Sequence, residues 1–92
     1  MNLKAYTQEE IERIFKERVR VIFHSAQLKN ALIGEWSFMF PTGYITLEVE
    51  LAAPMDESNY NGDKAQEIIY NKIKQKLWEI AGKYTLATGD KL

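Results

Sequence analysis

Cysteine is absent from this 92-residue chain. That excludes disulfide staples, thiolate nucleophiles and zinc sites of the cysteine type, and it makes a reducing cytosol the simplest compartment. Histidine occurs once, at His24. A nucleophilic triad would need a serine and an acid beside it, and Ser25 is too close along the chain to serve. An imidazole metal site would need further ligands that the sequence does not offer. The glycines Gly34, Gly43, Gly62, Gly82 and Gly89 stand singly, so there is no glycine-rich phosphate loop. No run of apolar residues approaches a membrane span, and Met1-Asn2-Leu3-Lys4 lacks the apolar stretch of a signal peptide; the expectation is a soluble protein of the cytoplasm. Neither charge sign dominates. Twelve basic against thirteen acidic residues leave a net charge of −1, which argues against a nucleic-acid-coating role and leaves room only for a local basic patch.

What is present describes one domain spanning residues 1–92, since a chain this short buries only roughly 60–65% of its unfolded surface and cannot fill two cores. Thr7 followed by Glu10 is a capping box, with Tyr6 and Ile11 at staple spacing, and Ile11, Ile14, Phe15, Val19, Ile22, Phe23 and Ala26 continue a helical stripe. The stripe predicts a first helix ending between His24 and Asn30. Val19-Arg20-Val21-Ile22-Phe23 is also a β-branched run, so the alternative is a third strand over Val19 to His24.

A hairpin follows. Trp36, Phe38 and Phe40 alternate with Glu35, Ser37 and Met39, and Ile45, Leu47, Val49 and Leu51 alternate with Thr46, Glu48 and Glu50, around a Pro41-Thr42-Gly43 turn. A plain three-residue loop would pair Phe38 with Thr46 and set aromatics opposite acids. An even loop, Pro41 to Tyr44, pairs Phe38 with Leu47 and gives one dry and one wet face, and it is the expected one. Ala52 to Gly62 reads as loop. A second helix is expected from Asp63, as N-cap, to Lys83, with a stripe of Ala65, Ile69, Ile73, Leu77, Ile80 and Tyr84 and a stop at Gly82. Residues 1–6 and 85–92 read as frayed tails.

The fold class is therefore α+β: helix–β-hairpin–helix (αββα), with two helices packed on one face of a small antiparallel sheet. A lone hairpin leaves two unpaired edges, so a homodimer or higher homo-oligomer is expected to complete the sheet.

Chemistry is sparse. Glu35, Glu48 and Glu50 gather carboxylates on the expected wet face, where alternate acids ordinarily mark a solvated strand; read as chemistry, they would make a metal-assisted hydrolase. Arg18, Arg20, His24 and Lys29 lack evident acidic partners, and Lys72, Lys74 and Lys76 crowd the second helix. With Tyr44, Tyr60 and Tyr70 these are the groups able to contact phosphates and stack on bases. Trp36 and Trp78 read as core or interface residues. No cofactor and no catalytic residue is expected.

Pro54, Asn59-Tyr60, Tyr70 and Lys76-Leu77-Trp78-Glu79-Ile80-Ala81-Gly82, with Gly43-Tyr44 at the turn, resemble the C-terminal half of a family of small tailed-phage proteins of unassigned function. Its pattern is a hairpin with a glycine-aromatic turn, then Pro-x-Asn-aromatic, then a helix ending Lys-aliphatic-Trp-x-Leu-x-Gly. Ala65 and Ile69 replace its usual glycine and alanine, Glu50-Leu51-Ala52-Ala53 replaces a serine-alanine-cysteine segment, and the loop from Pro54 to Asn59 is longer. The resemblance covers about half the chain and rests on packing residues. It implies a non-enzymatic phage accessory protein acting by binding, with counter-defence the expected role. The first expectation is sequestration of a nucleotide-derived immune signal at a subunit interface, using Arg18, Arg20, His24, Tyr44, Asn59 and Tyr60. The alternatives are an inhibitor that binds a host defence protein through a sheet edge or helix face, and a structural phage protein.

Overall fold

The computed structural model describes residues 6–27 and 30–92. The first five residues, expected as part of a frayed tail, and Lys29 lie outside the described residues. Helix α1 covers Gln8–Arg18, followed by β1 (Val19–Ser25), β2 (Leu32–Met39), β3 (Ile45–Ala52), a short 3-10 turn at Glu57–Asn59, and α2 (Gly62–Thr88). The three strands form one antiparallel sheet in the order β1-β2-β3, and both helices pack on the same face of it. The architecture is α+β.

The capping box starts α1 as expected: Glu10 N–H donates to Thr7 Oγ1 at 3.1 Å and Thr7 N–H to Glu10 Oε1 at 3.0 Å. The helix then stops well short of the end its stripe suggests, because Val19 is already extended at φ −116° and ψ 135°. Residues 19–25 are strand, so the helical reading of this segment is corrected. Val19, Val21 and Phe23 turn inward while Arg20, Ile22 and His24 face out. Stiff β-branched side chains suit a pleated, half-buried surface better than the last turns of a helix. The ladder to β2 supplies the long-range pairing that local periodicity cannot register.

The hairpin register is also corrected. Phe38 lies opposite Thr46, Trp36 opposite Glu48 and Gly34 opposite Glu50. The turn is the odd one: Phe40 N–H donates to Tyr44 O at 2.8 Å, Gly43 N–H closes back on Phe40 O at 2.9 Å, and Gly43 adopts φ +91°. Proline at the second turn position and glycine in the left-handed region are what a three-residue hairpin loop requires. The two faces of β3 are thereby exchanged. Its acids face the helices, and its aliphatic residues face outward.

Helix α2 begins one residue before the expected start, with Asn61 rather than Asp63 as N-cap, its side chain accepting from the N–H groups of Asp63 and Lys64. It runs straight past Gly82 to a left-handed stop at Gly89. Its buried row is Ala65, Ile69, Ile73, Leu77, Ala81 and Thr85, with Ile80 and Tyr84 at the margin. Trp36, Phe38, Ile11, Ile14, Ile69, Ile73 and Leu77 are the largest fully buried side chains, each contributing about 1.5–3 kcal/mol of burial. Trp78, expected in a core or interface, is partly exposed.

Residues 85–92, expected as a frayed tail, are helical as far as Thr88 and hydrogen-bonded beyond it. Leu92 N–H donates to Tyr6 Oη at 2.8 Å, and Tyr6 Oη lies 2.8 Å from Thr85 Oγ1. Because the Thr85 hydroxyl donates to Asp90 O at 2.9 Å, Tyr6 is the donor to Thr85. Lys91 pairs with Glu10 at 3.0 Å. These bonds tie the two ends of the described chain together.

Candidate functional site

The six residues singled out from the sequence do not converge. Arg18 ends α1 and donates to Met39 O at 3.2 Å. Arg20 stands exposed on the outer face, in register with Ser37. His24 is also on that face, with Nε2 3.4 Å from Glu35 Oε2, so it does have an acidic partner. Tyr44 is at the hairpin tip against Phe40. Asn59 and Tyr60 lie at the other end of β3, which at about 3.3 Å per residue places them roughly 25 Å from the tip. Within one chain this spacing does not bring all six into a single phosphate-and-base site.

Asn59 and Tyr60 do share a cleft of about 260 Å³ with Pro54, Asn61, Lys64 and Ile68. It opens beside the first turn of α2 and is a little smaller than an ordinary small-molecule pocket. Lys64 and Asn61 are not distinguished as site residues by the sequence, although Asn61-Gly62-Asp63 is a turn-and-cap signal.

The three carboxylates also separate. Glu35 is on the outer face opposite Val49, whereas Glu48 and Glu50 face the helices. Glu50 is only 7% exposed, so the solvated-face reading does not hold for it. It accepts from Trp36 Nε1 at 3.0 Å and from Lys76 Nζ at 2.6 Å, with Glu48 3.8 Å from the same ammonium. Burial acts to raise the Glu50 carboxyl, but the hydrogen bonds from Lys76 and Trp36 outweigh it and hold its pKa below the usual value. The same bond raises the Lys76 ammonium. Lys72 reaches past β3 to Leu51 O. Lys74 turns the other way, to Glu12 at 3.0 Å and over the Phe15 ring. The lysine row of α2 is thus divided between two structural tasks. Among the described residues no group of three or more acids and histidines is placed to hold a metal ion.

The largest unexplained feature is the outer face of the sheet. Ile45, Leu47, Val49 and Leu51 project from β3 on that side, Leu47 at 74% and Val49 at 61% exposure, with Met39 and Ile22 also exposed. At about 200 Å² per full side chain these six offer roughly 700 Å², a little above what a monomer's largest apolar patch usually reaches. On the same face β1 carries Arg20 and His24, and the central strand β2 carries Glu35, between Ile22 and Val49. The face is apolar along β3 and mixed toward β1.

Fold and surface together describe a small α+β protein with an open, one-sided sheet. Compared with known proteins, the chain matches no family model, no curated protein and no solved structure. No helix among the described residues is long and apolar enough to cross a membrane.

Proposed function

We propose that this chain is a non-enzymatic binding protein that docks a protein partner on the outer face of its sheet. The observation that carries this reading is the row Ile45, Leu47, Val49 and Leu51, exposed on an edge strand, with Glu35 beside Val49 on β2 and Arg20 and His24 at the far margin on β1. An apolar centre with a polar rim is the anatomy of a protein interface, and an open strand edge adds main-chain groups for recognition. The tailed-phage resemblance of the C-terminal half supports a host defence protein as the partner and inhibition by occupation as the role. The test is co-purification of tagged protein from a bacterial host. The wild type should retain a discrete host protein, and Val49→Asp, at an exposed position, should lose it with an unchanged circular dichroism spectrum. Retention by the variant would remove the face as the docking surface.

Capture of a nucleotide-derived signal is supported in a reduced form by the cleft at Asn59 and Tyr60, where Lys64 supplies a cation and Tyr60 a ring. A saturable thermal shift with cyclic or ADP-ribose-type nucleotides, abolished by Tyr60→Ala, is the expected result. A flat response across such a panel sinks this second reading.

A further inference from the structure

The two edges of the sheet are protected differently. β1 carries Arg20 and His24 on its outer face and follows α1 without a break. β3 carries only aliphatic side chains there and ends the sheet. Charged side chains on an edge are the usual guard against strand addition, and β3 lacks that guard on its outer side.

The hairpin turn fixes which backbone groups of β3 are free. Phe40 N–H bonds to Tyr44 O, and antiparallel ladders alternate, so Thr46, Glu48 and Glu50 exchange hydrogen bonds with β2 while Ile45, Leu47, Val49 and Leu51 point their N–H and C=O groups to the open edge. The contact of Lys72 Nζ with Leu51 O agrees with that parity. It also closes the edge at this end. The open stretch runs from Ile45 to Val49.

We propose that a second copy of this chain pairs here, β3 against β3, antiparallel and with Leu47 on the two-fold axis. Two independent constraints select this register. It matches Ile45 to Val49 of one copy with Val49 to Ile45 of the other, which uses all of the open edge and stops before the carbonyl that Lys72 occupies. It also sets Glu48 opposite Thr46. Moving the axis toward the C-terminus, to Glu48 or Val49, would place Glu48 opposite Glu48 or Glu50, and like charges directly across a ladder are unfavourable. Moving it the other way, to Thr46, would leave the open groups of Val49 unpaired. The pairing closes about six backbone hydrogen bonds around the axis. It builds a six-stranded sheet with all four helices on one side, and the two apolar β3 rows become one central patch flanked by Glu35 on each β2, with Arg20 and His24 at both outer margins. The dimer thus goes beyond the docking proposal and would double its surface, but neither depends on the other.

The absence of cysteine makes the test direct. Native mass spectrometry of the wild type should give twice the 10.7 kDa chain mass. Leu47→Cys should form a covalent dimer on mild oxidation, because paired residues at hydrogen-bonded positions have Cα atoms about 5.5 Å apart, within disulfide reach. Val49→Cys should not, because its two copies would be offset along the strands by about 13 Å. Both positions are exposed, so neither substitution threatens folding. Leu47→Pro, which removes the axial N–H, should give the monomer mass. A monomeric wild type overturns the proposal. So does a dimer in which Leu47→Cys fails to cross-link, or in which Val49→Cys cross-links as readily, since either places the contact elsewhere. Loss of the dimer with retention of a host protein would leave the docking reading intact.

Discussion

Replacing Lys76 by methionine keeps the aliphatic stem and removes the ammonium that touches a nearly buried carboxylate. Glu50 would retain the indole N–H of Trp36 at 3.0 Å and lose the 2.6 Å bond to Lys76. Hydrogen bonds to charged groups contribute about 1.5–3 kcal/mol. The Lys76 side chain is 42% exposed, so water screens part of the interaction and the low end, about 1.5 kcal/mol, is expected. At about 4–8 °C per kcal/mol for a chain of this size, Tm should fall by roughly 6–12 °C. The loss should depend on pH in one direction. The folded-state pKa of Glu50 is lowered from 4.5, so its contribution is present above the unfolded value and is lost as pH falls through the folded value. In Lys76→Met the burial that raises the carboxyl is opposed mainly by Trp36, and the folded pKa rises. The deficit should therefore be complete near neutral pH and shrink as pH falls below 4.5 and on through the lowered folded-state value, once the carboxyl is protonated in both states. Urea unfolding followed by circular dichroism at the two pH values measures it. An equal deficit at both would refute the coupling of Lys76 to a charged Glu50, as would additivity of Lys76→Met with Glu50→Gln in a double-mutant cycle.

Two glycines should respond in opposite senses to alanine. A Cβ at Gly34 would lie 2.6 Å from Ile69 Cγ2, on a stiff and fully buried side chain, so Gly34→Ala should cost about 1–3 kcal/mol by overpacking. Gly82 lies inside α2, and a Cβ added there would meet nothing within 4 Å, so Gly82→Ala should stabilise by about 0.5–1 kcal/mol. Thermal denaturation of the pair checks both signs, and stabilisation by Gly34→Ala would show that α2 does not approach β2 so closely. Tyr6→Phe removes the hydroxyl that accepts from Leu92 N–H and donates to Thr85; a loss of about 1–3 kcal/mol is expected, with faster amide exchange at residues 85–92. Unchanged exchange there would mean that the C-terminal segment is held by other contacts.

The parts of the fold carried by local chemistry are legible in the sequence. The Thr7-Glu10 box and the Ala65-Ile69-Ile73-Leu77 row stand where their residues place them, and the loop expected from Ala52 to Gly62 is shorter by one residue at each end, Ala52 closing β3 and Gly62 opening α2. What departs from expectation is decided by partners distant in sequence. Val19 to Phe23 satisfies a helical stripe and a strand alternation equally, and only the ladder to β2 distinguishes them. Gly82 has the form of a stop, yet an isolated glycine only weakens a helix, and the packing of Ala81 and Thr85 carries α2 past it. Among the candidate site residues, Arg18 and His24 look free in the sequence because their partners, Met39 O and Glu35, come from a neighbouring strand.

In the hairpin, two local signals disagree and the turn prevails. Pro41-Thr42-Gly43 has the chemistry of a three-residue loop, while the alternation of β2 and β3 favours an even one. An odd loop sends Glu48 and Glu50 toward the core, which is costly for unpaired carboxylates. The compensation lies on α2, where Lys72 and Lys76, four residues apart, reach β3, and on β2, where Trp36 brings an indole N–H to Glu50. With the acids accommodated inside, the aliphatic row must face outward, and among the described residues both helices lie on the other face and leave it exposed. The same turn parity therefore produces the buried Glu50 network and the exposed β3 row. It also sets which backbone groups of β3 remain open, so the proposed docking face and the proposed two-fold pairing both follow from one three-residue loop.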